Sequence, residues 1–336
     1  MRVLLTGSSG WLGRFLAPML RKAGHEPFGL DIVPGAATDF VGSVADRALV
    51  DRLFAEHDFG GIIHAGALHQ PDMVRFPRQA FVDANITGTL NLLEAAVAHE
   101  ISSFVFTSTT SLMITQAIRD DVHDSAVWLD ETSGPLVPRN IYGVTKRAAE
   151  ELCRLTHADH ALPVVILRTA RFFPGKDMHE QLSGDNLKAN EFLHRRLTVE
   201  DCARAHIVAL EKAPQIGFGL YIVSAPPPFT RETVAALKAD AQSVIAELFP
   251  EAASLYAARG WSLPPHIGRV YDPGAIERDL GFRCQTDFSA VLDCLREGAA
   301  LPFVHDPLYV PPPIKLRTRR ANAREVRNDT PQDKQV

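Results

Sequence analysis

The chain begins with a short apolar run that leads directly into a glycine-rich turn and then into a helical pattern. Residues 2–6 favour a strand, residues 6–13 are TGSSGWLG, and residues 11–20 carry apolar side chains at helical spacing. A strand, a tight glycine turn and a helix in this order are typical of the phosphate-binding unit of dinucleotide folds. This start constrains the fold more strongly than any other segment.

Strand and helix patterns alternate through the first two-thirds of the chain. Further strands are indicated at 27–31, 61–65, 104–107, 164–168 and 220–223, and helices at 80–99 and 198–212. Such alternation predicts an α/β fold with a doubly wound parallel sheet of the Rossmann type. We expect a dinucleotide-binding domain at 1–172, with 197–224 returning to it. Residues 173–196 and 225–310 are expected to form a smaller, interleaved C-terminal substrate lobe, and 311–336 a disordered tail.

The composition argues against several functional classes. Lys and Arg number 35 against 40 Asp and Glu, a formal net charge of −5, so we expect no nucleic-acid partner. The sequence contains no apolar run long enough for a membrane span and no signal-peptide pattern. The four cysteines form no CxxC pair, which favours reduced thiols and a cytoplasmic location. His157 and His160 lie on a polar helix face, so no metal site is expected.

The glycine turn and one acidic residue predict the cofactor. Gly7 permits the tight turn, Gly10 lets a pyrophosphate approach the backbone, and Gly13 allows close packing of helix on strand. Asp31 ends the second strand, where a carboxylate accepts hydrogen bonds from ribose hydroxyls and repels a 2′-phosphate. This pattern favours NAD over NADP. Plain turns with a solvated Asp31 are the alternative.

A tyrosine and a lysine four residues apart predict the chemistry. Tyr142 and Lys146 share one face of a predicted helix. A nearby ammonium is expected to lower the pKa of the phenol, so that Tyr142 exchanges a proton with a substrate hydroxyl or carbonyl during hydride transfer. Hydroxyl side chains at 107–111 end the preceding strand, at the sheet edge where ligands bind. Thr109 is the first candidate to donate to the substrate oxygen, and Ser108 the second.

Together with IIHAGA at 62–67, NITGTLNLLEAA at 85–96 and LTVEDCARAHIVALE at 197–211, these blocks resemble the extended short-chain dehydrogenase/reductase family, the NAD-dependent epimerase/dehydratase group. The resemblance implies an enzyme with NAD as cofactor and a Thr109–Tyr142–Lys146 catalytic set. It also implies a homodimer formed through the helices at 80–99 and 141–157. The expected cofactor-binding residues are Gly7, Ser9, Gly10, Trp11, Leu12, Gly13, Asp31, Ser43, Val44, His64, Ala65, Gly66, Asn85, Tyr142 and Lys146.

Departures from the family pattern bear on the substrate. Thr110 and Ser111 stand where dehydratases of the family carry Asp and Glu, which argues against dehydration. Arg171 stands where UDP-galactose 4-epimerases carry Asn, which argues against an ordinary UDP-sugar. An acidic or polyhydroxylated sugar is favoured instead, because Arg171 could bind a carboxylate bidentately. The expected substrate-binding residues are Thr110, Arg171, Arg195 and Arg196.

Several alternatives stay open on the sequence alone. The same groups serve an epimerase and a net dehydrogenase. A non-catalytic NAD(P)-binding redox sensor and an NADP-dependent ketone reductase are the competing functions, and the Tyr–Lys pair favours an enzyme. The long segment 112–138 is expected to be a lid over the substrate, or else a surface excursion or part of the dimer contact. Trp128 within it would pack over the substrate or anchor the segment.

Overall fold

The computed structural model describes residues 1–173 and 182–303, and a seven-stranded parallel sheet forms its centre. A separate two-stranded parallel sheet pairs β6 with β9. The order across the main sheet is β3-β2-β1-β4-β5-β7-β8. The strands are β1 (Arg2–Thr6), β2 (Glu26–Asp31), β3 (Phe40–Val41), β4 (Gly61–His64), β5 (Ser103–Thr109), β6 (Val127–Leu129), β7 (Val164–Thr169), β8 (Phe218–Val223) and β9 (Arg269–Tyr271).

Helices connect the strands and cover both faces of the main sheet. A π turn at Asp83–Thr87 joins α3 to α4, so the helix predicted over 80–99 is confirmed with a local widening. The helices are α1 (Trp11–Lys22), α2 (Arg47–Glu56), α3 (Arg78–Val82), α4 (Gly88–Ala98), α5 (Gln116–Arg119), α6 (Ile141–His160), α7 (Gly184–Glu191), α8 (Val199–Ile216), α9 (Val234–Leu248), α10 (Ala252–Ala257), α11 (Gly274–Leu280) and α12 (Phe288–Glu297).

Two apolar cores lie on opposite faces of the sheet. Side chains alternate along each strand, so Leu5 and Val105 enter the core beneath α1 and α8, while Leu4 and Phe104 enter the core beneath α2, α4 and α6. Strands β4 and β7 are buried along their whole length, which is typical of parallel strands covered on both sides. The predicted doubly wound, Rossmann-type α/β fold is confirmed.

A third core lies beside the carboxyl edge of the main sheet. It gathers apolar side chains from β6, β9, α9, α10 and α12, among them Leu237, Val270 and Phe288. The proposed domain boundaries stay a prediction. Residues 174–181 of the expected substrate lobe lie outside the described residues, as do 304–310 and the expected tail at 311–336. Within residues 1–173 and 182–303, no helix is both long and apolar enough to cross a bilayer.

Candidate active site

The glycine turn between β1 and α1 has the geometry that the sequence predicts. Gly7 has a φ of 73°, and a Cβ atom on it would lie 2.7 Å from the backbone nitrogen of Gly66. A Cβ atom on Gly13 would collide with the backbone of Gly7 and Ser8. Only glycine therefore permits this turn and this approach of α1 to the sheet.

Gly10 leaves room on the outer side of the same turn. Its amide donates to the carbonyl of Gly7 at 3.0 Å, and within 4 Å a Cβ atom on it would meet only that carbonyl oxygen, at 3.1 Å. Helix α1 starts at the next residue and carries no acidic side chain in its first turn. Free N–H groups and the positive end of the helix therefore suit a pyrophosphate here.

The Asp31 carboxylate lies beside the turn at the end of β2. Its Oδ2 accepts a hydrogen bond from the Ser9 amide at 3.0 Å, and its Oδ1 accepts one from the Val33 amide at 2.9 Å. Both bonds fix the carboxylate while each oxygen keeps a second lone pair. Asp31 is half-buried, so that acceptor capacity faces the groove beside the glycine turn.

Other expected cofactor residues support the turn from inside the protein. The buried His64 ring lies between the hydroxyls of Thr6 and Thr89, at 2.7 and 3.0 Å. Burial and the charge of Lys146 lower the pKa of His64 to about 3, so the ring is neutral. Because both ring nitrogens are engaged inside the protein, any cofactor contact of His64 falls to its backbone.

Three further expected cofactor residues, Trp11, Asn85 and Leu12, have their side chains engaged inside the protein. The Trp11 indole donates to the carbonyl of Phe172 at 3.2 Å. The buried Asn85 amide exchanges hydrogen bonds with the backbone of Leu68 and donates to Thr145. Leu12 packs in the core. The remaining expected cofactor residues lie in the loops that follow the strands: Ser43 and Val44 after β3, and Ala65 and Gly66 after β4.

Helix α6 brings Tyr142 and Lys146 to the carboxyl end of β5. The Asn140 side chain caps the helix by accepting from the Gly143 amide at 2.9 Å. The nearly buried Tyr142 phenol lies near the Thr109 side chain, whose hydroxyl donates to Ser111 Oγ at 3.0 Å. Lys146 donates from Nζ to the carbonyl of Thr107 at 2.7 Å, with Nζ 4.5 Å from the centre of the Phe106 ring. The structure thus brings Thr109, Tyr142 and Lys146 together.

The acid–base properties of this group differ from the sequence expectation. Burial raises the pKa of Tyr142 to about 12, against the opposing effect of the Thr109 side chain. Burial also lowers the pKa of Lys146 to about 8, partly offset by the Glu150 carboxylate. The predicted lowering of the tyrosine pKa by Lys146 is therefore wrong for the cofactor-free chain. The physical reason is that burial removes water from the Tyr142 phenol, while the Lys146 ammonium donates its hydrogen bond to the carbonyl of Thr107.

Ser108 faces away from Tyr142. Its hydroxyl donates to Glu150 at 2.5 Å, and Arg168 donates to the same carboxylate at 2.9 and 2.7 Å. Neighbouring residues of a strand point to opposite faces, so Ser108 and Thr109 cannot both reach the phenol. Of the two predicted hydroxyls, the structure brings Thr109 to Tyr142 and places Ser108 in a buried ionic network.

His69 lies in the site, and the sequence reasoning missed it. Its ring centre is 5.7 Å from that of Tyr142 and 5.6 Å from that of Phe173. The Asp72 carboxylate fixes the loop by accepting from the His69 amide at 2.8 Å. Burial and the charge of Lys146 lower the pKa of His69 to about 3, so its imidazole is neutral. Its place just after β4, at the ligand-binding edge, is the signal that could have found it.

The predicted substrate arginines meet at one carboxylate. Arg171, Arg195 and Arg196 each form an ion pair with the buried Glu191, at 3.2, 2.9 and 2.9 Å. Arg171 is about half exposed and Arg195 a quarter exposed. Arg196 is fully buried and also donates to the carbonyl of Phe173 at 2.8 Å. The Arg196 guanidinium is therefore directed into the protein, unlike those of Arg171 and Arg195.

Thr110 and the segment after it pack against the rest of the protein and form hydrogen bonds with it. The buried Thr110 hydroxyl donates to the carbonyl of Thr169 at 3.3 Å, away from the Tyr142 hydroxyl. Ile114 and Ile118 pack in the first core, and β6 pairs with β9. The Trp128 indole donates to Asp272 at 2.8 Å. Of the two roles predicted for Trp128, the structure shows the anchoring one. In the described part of the chain, no cluster of three His, Cys, Asp or Glu side chains could hold a metal.

A Rossmann-type sheet with a glycine turn, a carboxylate at the end of its second strand and a Tyr–Lys pair at its carboxyl edge is typical of a dinucleotide-dependent oxidoreductase. The comparison with known families identifies the class more closely. The model of the NAD dependent epimerase/dehydratase family matches residues 3–185, more than half of the chain. The chain belongs to this family, so the expected family and the expected NAD cofactor are confirmed.

Individual relatives match the N-terminal part. The low-salt glycan biosynthesis protein Agl12 of Haloferax volcanii is 32% identical over 197 residues, covering 54% of this chain and 60% of the relative. A UDP-glucose 4-epimerase of Rhizobium meliloti is 33% identical over 174 residues, covering 49% of this chain and 50% of the relative. The chain thus spans only half to three-fifths of the length of these relatives.

A solved structure shares the fold over a longer stretch. The UDP-glucose 4-epimerase of Thermus thermophilus, in complex with NAD, superposes with a TM-score of 0.59 at 22% identity. The superposition covers 88% of this chain and 99% of that protein. The arrangement of the C-terminal lobe is therefore shared although its sequence has diverged.

Proposed function

We propose that the protein is an NAD-dependent oxidoreductase that transfers a hydride at a hydroxyl or carbonyl carbon of a sugar or sugar derivative. Tyr142 is the acid and base of this reaction. The observation that carries the proposal is the grouping of Tyr142 with Thr109 and Lys146 at the carboxyl end of β5. This grouping lies on the same sheet edge as the glycine turn and Asp31.

The residues divide the work of binding the cofactor. The glycine turn holds the pyrophosphate, and the two free lone pairs of the Asp31 carboxylate accept from the ribose hydroxyls. NAD, when bound, accepts the hydride in oxidation and supplies it in reduction. A 2′-phosphate would meet the negative charge of Asp31, which argues against the NADP-dependent ketone reductase.

Tyr142 and its neighbours handle the proton. In oxidation, the phenolate takes the hydroxyl proton as the hydride leaves the same carbon, which leaves a carbonyl; reduction reverses both transfers. Thr109 lies beside the phenol, and its single hydroxyl proton, which Ser111 Oγ accepts in the structure, becomes a second donor when it turns to the substrate oxygen. With Lys146 in place the pKa of about 12 makes ionisation of the phenol at neutral pH cost roughly 7 kcal/mol, so the positive charge of an oxidised nicotinamide would have to add to that of the ammonium.

Two reaction outcomes use this machinery. An epimerase returns the hydride to the other face of the carbonyl, whereas a dehydrogenase releases reduced cofactor. The assembled Thr109–Tyr142–Lys146 group disfavours a redox sensor without turnover, because a sensor needs no proton relay. The matched UDP-glucose 4-epimerases support the epimerase outcome, and Arg171 supports an acidic sugar in place of a nucleotide sugar.

The active form is proposed to be a homodimer. The large apolar side chains of Leu90 on α4 and of Val144 and Leu155 on α6 are 37, 48 and 56% exposed. These helices pack side by side on one face of the sheet, so their apolar side chains suit a self-complementary contact. The four free cysteines support the proposed cytoplasmic location.

Replacement of one phenol tests the proposal. Tyr142→Phe is expected to lower kcat at least 100-fold while NAD binding, measured by calorimetry, persists. Turnover is followed by nicotinamide absorbance, and by product chromatography for epimerisation, against neutral sugars and uronic acids. Tyr256→Phe is the matched control, because its hydroxyl is buried in the third core with no hydrogen-bond partner in the described structure. Near-normal turnover in Tyr142→Phe refutes the mechanism.

A further inference from the structure

Positive charge is concentrated next to the Tyr142 site. Three guanidinium groups, those of Arg171, Arg195 and Arg196, each form an ion pair with Glu191. Burial alone would raise the pKa of Glu191, yet the three arginines lower it, so the carboxylate is charged.

A fourth guanidinium extends the cluster. Arg269 lies on β9, where its carbonyl accepts from His194 Nδ1 at 2.8 Å, and its guanidinium is near enough to Arg195 for its charge to lower the pKa of Arg195. Within residues 1–173 and 182–303, Arg269 forms no ion pair, and its Nε is buried without a hydrogen-bond partner. The Nε of Arg195 is likewise buried and unpartnered. Buried donors of this kind are costly unless a ligand satisfies them.

The cluster is close to the reacting groups. Arg171 and Phe173 are two residues apart, so their Cα atoms are separated by at most about 7 Å. The Phe173 ring contacts His69, whose ring contacts Tyr142. Thr169, the register partner of Thr109 in the sheet, is two residues before Arg171, so the arginines and the phenol lie at the same sheet edge.

We propose that Arg195 and Arg269, with Arg171 beside them, form an oxyanion-binding site for the substrate on which Tyr142 acts. The substrate is then an acidic sugar or sugar derivative that carries a carboxylate or a phosphate. This inference rests on the proposed function, which supplies the reaction. Each guanidinium offers a fork of two N–H donors that matches two oxygens of either anion. Arg269 is new in this role, since neither its spacing nor a family block points to it.

Binding measurements test the site separately from catalysis. The NAD-saturated chain is titrated by calorimetry with hexuronates, hexose 6-phosphates and the neutral hexose of each pair, at low and high salt. We expect one acid to bind at least tenfold more tightly than its neutral parent, and the carboxylate and phosphate arms identify the anion. Arg269→Gln is expected to weaken that acid roughly 10- to 100-fold and to leave the neutral sugar unchanged.

Two further variants make the result decisive. Arg283→Gln is the matched control, because Arg283 is 61% exposed and pairs with Glu277 on the surface; it is expected to bind like the wild type. Arg269→Lys keeps the charge without the fork and is expected to recover part of the affinity. An equal affinity for acids and neutral sugars overturns the site, as does an Arg269→Gln chain that keeps the acid preference.

The two proposals fail in different ways. Acid binding that depends on Arg269, without any reduction of NAD or epimerisation, refutes the proposed function and supports the oxyanion site. Turnover of neutral or nucleotide sugars that depends on Tyr142 but not on Arg269 supports the function and overturns the site. Retained acid binding in Tyr142→Phe supports the oxyanion site, because the phenol is outside it.

Discussion

Glu150→Gln is expected to destabilise the protein, because it leaves the buried Arg168 guanidinium without a negatively charged partner. Glu150 and Arg168 have side chains only 4% exposed, and the carboxylate accepts two hydrogen bonds from Arg168 and one from Ser108. Removal of one partner of a buried ion pair costs about 3 to 5 kcal/mol, because the remaining charge is left unpaired. With an unfolding entropy of about 2.1 cal/mol/K per residue over roughly 300 residues, the expected fall in Tm is about 5 to 8 °C.

The same substitution is expected to change the pH dependence of turnover. Lys146 loses its proton as the pH rises through about 8, and a rate that needs its ammonium falls there. The Glu150 carboxylate raises the pKa of Lys146, against the larger lowering by burial. Loss of the carboxylate charge therefore moves the falling limb of the kcat/KM profile to lower pH. A purely structural role of Glu150 would change Tm without moving this limb.

The neighbouring residue supplies the control. Glu151 is 61% exposed and lies 3.7 Å from Arg154, so Glu151→Gln is expected to cost under about 0.5 kcal/mol. Thermal unfolding is followed by circular dichroism at several scan rates, since unfolding of a chain this long is often irreversible. The double variant Glu150→Gln with Arg168→Met removes both charges and should recover part of the loss. Equal Tm values for Glu150→Gln and Glu151→Gln would refute the reasoning.

Two other substitutions test the cofactor and the assembly. Asp31→Ala is expected to weaken NAD binding about tenfold and to reduce discrimination against NADP, because the ribose acceptor and the repulsion of the 2′-phosphate are both lost; calorimetry with both cofactors measures this, and a wild type that prefers NADP contradicts the assignment. Leu155→Glu is expected to convert a dimer to a monomer in analytical ultracentrifugation with little change in Tm, since the side chain is 56% exposed in the single chain; an unchanged sedimentation coefficient contradicts the proposed interface.

The local features of the molecule follow from the sequence because they depend on neighbouring residues. The glycine turn, the strand before it and the helix after it lie within twenty-two residues, and each glycine meets a steric demand made nearby. Tyr142 and Lys146 share a helix face through the helical repeat alone. The alternation of strands and helices likewise predicts the parallel sheet, because parallel neighbours must be joined by a crossover connection, which is usually a helix.

The tertiary structure decided which distant groups meet. Trp128 and Asp272 are 144 residues apart in sequence, and no local pattern pairs them. The sequence offers both Thr109 and Ser108 as candidate donors, but the pleat of β5 directs Ser108 to Glu150 and Thr109 toward Tyr142. Arg269 belongs to a strand of three residues that pairing with β6 and a hydrogen bond from His194 hold beside the site.

The pKa values of Tyr142 and Lys146 also depend on the tertiary structure. The spacing of Tyr142 and Lys146 predicts a lowered phenol pKa, because an ammonium four residues away attracts a phenolate. The pKa is raised instead, because the surrounding elements exclude water from both groups. Helical spacing is a property of a few consecutive residues, whereas desolvation depends on everything that packs around them, and only the folded chain brings those residues together.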